Sequence, residues 1–281
     1  MFFIDRTLLS IALSCLLTGS AMAEGFVLGI GAAADTEDGR AYSAFGDFGV
    51  GEKTWLSATV GRTETDLLFS DFATQFYDVG YDHWFEPVGI RIGASYWGDP
   101  DILDSNDLRG SIYYRNDAIT LAADYERRDF DFTFESIALQ QRITAEFSAD
   151  GWGLTARFKA ADRVSLHLGG MRYDYSRNIR INPEIDTLRF LAVSRLSLIN
   201  SLLDHRLNAG IEFRFGLSSL DLTVGNWETA VDQSRVNSYS IGFLTPMSDR
   251  TDIEIRLSLD DSENFGQTTA LTAYLYYFGG S

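Results

Sequence analysis

One cysteine, four prolines and three histidines are all that a chain of 281 residues contains of those types. Cys15 lies in an apolar segment at the N-terminus that reads as cleavable, so the remainder has no thiol, which excludes disulfide staples and thiolate metal sites. Pro87, Pro100, Pro183 and Pro246 all fall in stretches that read as turn or loop, so no proline interrupts a strand ladder. Long apolar runs are missing too. After residue 23 none approaches the ~18–20 residues of a membrane-crossing helix, so a chain that spans a bilayer can do so only as a closed sheet. Positive charge is scarce: 23 Lys and Arg stand against 40 Asp and Glu, a net charge of -17, which argues against a nucleic-acid partner.

What the N-terminus does contain is Arg6, the apolar stretch Leu8 to Leu17 and "AMA" at Ala21 to Ala23. Those features predict a secretory signal over residues 1–23, with cleavage before Glu24 and one domain over 24–281. Asp5 and Arg6 cancel, so cleavage leaves the net charge unchanged. Acidic clusters at Asp35 to Asp38, Asp99 to Asp104 and Leu259 to Glu263 read as solvated loops.

Beyond residue 24 the chain alternates. "VGIRIGASYW" separates Val88, Ile90, Ile92, Ala94 and Tyr96 from Gly89, Arg91, Gly93, Ser95 and Trp97, the period of a strand with unlike faces. Leu207, Ala209, Ile211 and Phe213 oppose Arg206, Asn208, Gly210, Glu212 and Arg214; Ile253, Ile255, Leu257 and Leu259 oppose Asp252, Glu254, Arg256 and Ser258. In "IALQQRITAEF", Ile137, Leu139, Ile143 and Phe147 oppose Gln140, Arg142, Thr144 and Glu146. Sixteen such segments are expected, among them 108–115, 118–127, 129–135, 137–148, 152–160 and 187–198, whereas 219–230 is open to reading as loop, hairpin or strand. The expected fold class is all-β, a single closed antiparallel transmembrane barrel of about 16 strands, with 12 to 18 compatible.

Tight connections at 85–87, 115–117, 160–162 and 245–249 alternate with longer polar stretches at 62–71, 98–107 and 176–186, as expected when one rim carries turns and the other loops. Trp55, Trp84, Trp97 and Trp152 fall near strand ends, where indoles suit a headgroup layer; Trp227 reads as a loop residue.

The polar rows carry the charges. Arg91, Arg109, Arg142, Arg157, Arg189, Arg195, Arg214 and Arg256, with Asp124, Glu126, Glu146, Glu212 and Glu254, all fall there. Burying so many ions in a dry sandwich core would cost several kcal/mol each unless every one were paired, so these rows are expected to line a hydrated lumen and the aliphatic rows to face lipid. Other chemistry is thin. Gly29 to Ala34 matches a loose dinucleotide pattern, but the following residues read as a turn and a strand rather than the helix that pattern requires. Ser165 and His167 share one strand face and make a lipid hydrolase conceivable, yet no orienting acid is identifiable. Asp82 and His83 are adjacent, which sends them to opposite faces of a strand, and neither they nor His205 match a metal-ligand spacing; no cofactor or metal is expected.

The last segment, "ALTAYLYYFGGS", alternates Leu271, Ala273, Leu275 and Tyr277 toward Phe278, and with the preceding features it resembles the closing strand of Gram-negative outer-membrane β-barrel proteins of the porin-like class; Gly279 to Ser281 extend past the usual aromatic end. The resemblance covers the whole of 24–281. It implies insertion by the outer-membrane assembly machinery, contact with outer-membrane lipids and lipopolysaccharide, and termini on the periplasmic side. The function expected is a passive, charge-selective pore for small polar solutes, from a monomer that is not an enzyme. The alternative is a non-conducting barrel that anchors, assembles or exports a cell-surface structure or polymer.

Overall fold

The computed structural model describes residues 25–66, 71–99, 102–136, 141–177, 179, 202–264 and 266–280. The expected signal over 1–23 and the segment 187–198 lie outside them. Among the described residues there are fourteen strands: β1 (Gly25–Asp35), β2 (Gly39–Gly49), β3 (Thr54–Asp66), β4 (Asp71–Trp84), β5 (Val88–Asp99), β6 (Leu103–Arg115), β7 (Ile119–Ser136), β8 (Gln141–Ala161), β9 (Val164–Tyr175), β10 (Leu203–Phe215), β11 (Ser218–Thr229), β12 (Arg235–Ser248), β13 (Thr251–Ser262) and β14 (Gly266–Gly280). Each pairs antiparallel with its sequence neighbours, and β1 closes the barrel on β14, with Gly25 opposite Gly280. Closure leaves no edge strand around the barrel, so in the part that crosses hydrocarbon each strand's backbone is paired on both sides.

Fourteen replaces the expected sixteen for identifiable reasons. The segments 118–127 and 129–135 are one strand, β7, and 137–148 with 152–160 are another, β8. Charges at Glu126, Arg127, Arg128 and Asp129 break the one-sided pattern because they occupy both faces of a continuous strand. At 18 and 21 residues, β7 and β8 are about twice the length needed to cross hydrocarbon, so their upper parts extend past it; there Arg127 and Asp129 on the outer face meet water, while Glu126 and Arg128 on the inner face form a buried ion pair. The ambiguous 219–230 segment is β11.

The rim that carries the termini also carries the tight connections, at 50–53, 85–87, 116–118, 162–163, 216–217 and 249–250. Most connections on the far rim are short as well. The stretch 98–107, expected as a loop, is largely the β5 end and the β6 start, and most of 176–202, between β9 and β10, lies outside the described residues.

Burial is inverted relative to a soluble domain. Every strand exposes a large apolar or aromatic residue on its outer face, including Ile30, Tyr42, Leu56, Val79, Ile92, Ile112, Leu121, Leu154, Leu168, Leu207, Leu222, Ile241, Ile255 and Leu271. A continuous apolar belt of this kind is the surface a barrel presents to acyl chains. Buried residues lie inside: Trp97, Leu103, Phe130, Ala149, Tyr173, Leu202 and Leu203 pack as one cluster in the far half of the lumen. Trp97 is 2 % exposed, so it packs that cluster instead of sitting in a headgroup layer. Trp55 and Trp227 line the lumen and the Trp84 ring stacks under inward Arg115, which leaves Trp152, 64 % exposed beside Tyr125, as the outward indole of the expected four.

Candidate functional site

The inward rows of β1 to β13 line a cavity of about 940 Å³, rich in charged and hydroxyl side chains, that reaches from Trp55, at the start of β3 near the terminal rim, to Trp227 near the far end of β11. A second polar space of about 470 Å³ lies beside it, sharing Asn208, Thr223 and Arg256 with the first. Alternation explains which residues reach these spaces: Arg91, Arg109, Arg157, Glu212, Glu254 and Arg256 all sit on the polar row of their strands and turn inward, as does Arg214, which stays at the terminal rim outside both.

The lumen charges are paired along the wall, not across it. Arg91 reaches Asp82 at 3.0 Å, and Tyr113 donates its hydroxyl to the same carboxylate at 2.6 Å. Arg109 on β6 bonds Asp78 on β4, and Arg157 on β8 bonds Glu212 on β10. Arg214 also holds Glu212, at 2.6 Å. Arg256 contacts Glu254 at 2.9 Å and Asp221 at 3.4 Å, while Tyr276 donates to Glu254 at 2.7 Å. Asp124 is met by hydroxyls, with Thr155 donating at 2.9 Å.

Several of these contacts skip a strand, and glycine is what permits it. Tyr113 on β6 crosses Gly89 on β5 to reach Asp82 on β4; a Cβ at Gly89 would lie 2.1 Å from the Tyr113 Cζ. His167 on β9 crosses Gly210 on β10 to reach Thr223 on β11 at 3.2 Å, and a Cβ at Gly210 would lie 2.3 Å from its Nε2. Tyr173 over Gly151, Arg109 over Gly93 and Arg256 over Gly242 repeat the arrangement. A long side chain that lies flat over a residue without a side chain satisfies a distant carboxylate and leaves the middle of the lumen open.

The far half is different. Arg128, 3 % exposed, lies between Asp107 at 3.3 Å and Glu126 at 3.8 Å and over the Phe130 ring at 4.8 Å. Lumen-facing Thr74, Ser105, Thr229, Ser238, Ser258 and Thr268 are buried there as well. A guanidinium taken out of water is tolerable only with such partners.

Of the other expected site residues, Arg189 and Arg195 lie outside the described residues, as does the Arg142 side chain. Glu146 does not line the lumen. Its neighbour Phe147 stacks on Phe130 inside, at 4.9 Å between centroids, so Glu146 points outward with Asp131, its β7 partner. This stretch stands beyond the lipid belt, where the outer face is the wet one. Asp78, Asp82 and Asp221 were absent from the expected set, although "YDVGYDHW" already places Asp78 and Asp82 on one row and Tyr77, Val79 and Tyr81 on the other.

His167 also lies 3.8 Å from Asp221, so its polar partners are on β11 while Ser165 lies on its own strand. His83 faces outward, bonded to Thr54 at 2.7 Å and stacked on Tyr81, away from inward Asp82. Gly29 to Ala34 lies within β1, with a turn and β2 after it.

No protein-family model matches the chain, and no curated protein does. Solved structures do. The CymD monoaromatic hydrocarbon channel superposes with a TM-score of 0.58 at 11% identity, covering 93% of this chain and 90% of that one. A loop-L8 deletion mutant of OmpT, an outer membrane protein of Vibrio cholerae, gives 0.51 at 9% identity, over 91% of this chain and 100% of that one. The chain has the fold of a porin-like outer-membrane β-barrel. In this porin-like barrel the wall-hugging ion pairs, and not an inserted loop among the described residues, set the shape of the open half of the lumen.

Proposed function

We propose that this porin-like barrel sits in the outer membrane of a Gram-negative bacterium as a monomer and forms a passive, charge-selective pore for small polar solutes. The observation that carries the reading is the long polar cavity, whose charged walls are neutralised locally and kept flat over glycines. Likeness in fold to a channel supports it. Its partners on this reading are outer-membrane lipids and lipopolysaccharide at the apolar belt, the assembly machinery during insertion, and the solutes themselves. Termini and tight turns face the periplasm.

Neutral pairs laid along the wall predict weak charge selectivity, since a permeating ion meets dipoles more often than bare charge. Reconstitution in planar bilayers tests this. Stepwise openings with a small reversal potential in a salt gradient are expected; a folded barrel that never conducts refutes the pore.

One observation favours a second reading. The lumen-facing residues of the far half are buried from β4 round to β14, as in a non-conducting barrel that anchors, assembles or exports a surface structure or polymer. Such a barrel would show no openings, and loss of Arg214 would lower its stability without any electrical signature. A lipid hydrolase is disfavoured because Ser165 and His167 belong to the lumen row and not the lipid row; Ser165→Ala is expected to leave lipid turnover unchanged.

A further inference from the structure

Four arginines line the larger cavity, and three of them are matched: Arg91 by Asp82, Arg109 by Asp78, and Arg256 by Glu254 and Asp221. Arg206 is the exception. It forms no ion pair among the described residues, and its guanidinium rests on the Met171 sulfur at 3.7 Å. Directly opposite it in the β10–β11 register is Trp227, which lines the same cavity and whose indole N–H is buried without an acceptor. Asn208, the next inward residue on β10, adds a side-chain amide beside Gly169. An unmatched cation and an amide thus meet the Trp227 ring at the end of the cavity that borders the packed half.

We propose that Arg206, Trp227 and Asn208 form a binding site for a monocarboxylate with an apolar body. A guanidinium presents parallel N–H donors that suit a carboxylate's two oxygens, and the Asn208 side-chain amide, two residues along the same inward row, supplies a further donor. One cation suits one negative charge: Asp47, Asp82, Asp124 and Glu126 line the same cavity and repel a polyanion such as phosphate. The Met171 side chain and the Trp227 ring provide the apolar flank, beside Gly169 and Gly225, which keep the wall flat.

The site rests on the lumen being open to solutes but does not need the barrel to conduct, so binding is measured apart from conductance. The test is calorimetric titration of the full-length folded barrel in neutral detergent with benzoate, benzyl alcohol and inorganic phosphate. Saturable benzoate binding is expected, with benzyl alcohol and phosphate at least about tenfold weaker. Arg206→Gln should weaken benzoate at least about tenfold and Arg206→Lys by less, and Trp227→Leu, which removes the aromatic flank, should weaken it several-fold. Arg235→Gln, at an ion pair on the outer face, should bind as the parent does. Heat-modifiable electrophoretic mobility shows that each variant is folded. Equal benzoate affinity in the parent and Arg206→Gln, equal binding of benzyl alcohol, tighter binding of phosphate, or no saturable benzoate binding would each overturn the site. Failure to conduct in bilayers overturns only the pore.

Discussion

Gly89 shows how a residue with no side chain organises others. Tyr113 lies over it to reach Asp82, and Arg91 meets that carboxylate from the same side. Gly89→Val is therefore expected to lift Tyr113 off the wall and cost about 1–3 kcal/mol of overpacking, read as a fall in unfolding temperature and a smaller single-channel current. Arg128 makes the opposite case, a charge with no access to water. Arg128→Met leaves Asp107 and Glu126 buried without their cation and should cost about 3–5 kcal/mol in denaturant titration. Adding Asp107→Asn and Glu126→Gln should recover part of that loss, because neutral amides carry a smaller desolvation cost. No gain from the added changes would show that Arg128 acts through packing on Phe130 alone.

At the scale of the element, β7 and β8 each run through two environments. Near the terminal rim their outer faces, at Leu121 and Leu154, meet acyl chains; further along, Arg127 and Asp150 pair on the same outer face at 3.0 Å. Leu168→Arg, in the apolar belt on β9, should cost about 2–4 kcal/mol in vesicle-based refolding. Glu146→Ala, outward but beyond the belt, should stay within about 0.5 kcal/mol of the parent. Similar costs for the two would place the lipid boundary elsewhere. This division also explains what the alternation conveys. Where one face is greasy and the other wet, as in β5, β10 and β13, the rows are readable residue by residue. Around Glu126 to Asp129 the outer face is wet and the inner face carries buried, paired charge, so both rows are charged, the pattern fails, and one long strand reads as two.

For the whole molecule the question is how much of the lumen carries ions. Asp47 lines the cavity near the terminal rim and forms no ion pair among the described residues, so Asp47→Asn should shift the reversal potential toward anions while Asp82→Asn, which frees Arg91, should shift it further the same way. A reversal potential that ignores both changes would mean that the current does not pass this cavity.

Sequence by itself determined that the chain is a sheet with one greasy and one charged row, closed because an open one could not satisfy its backbone in hydrocarbon, and tightly turned on the rim that carries the termini. Those properties are local: they depend on residues two apart or on short connections. Tertiary structure alone decided the strand number, the inward packing of Trp97 and Phe147, the outward turn of Glu146, and the choice of Asp78, Asp82 and Asp221 as partners for the arginines. Each of these depends on which residues the register brings together two strands apart, and on where the bilayer ends along a strand, neither of which a period of two can encode.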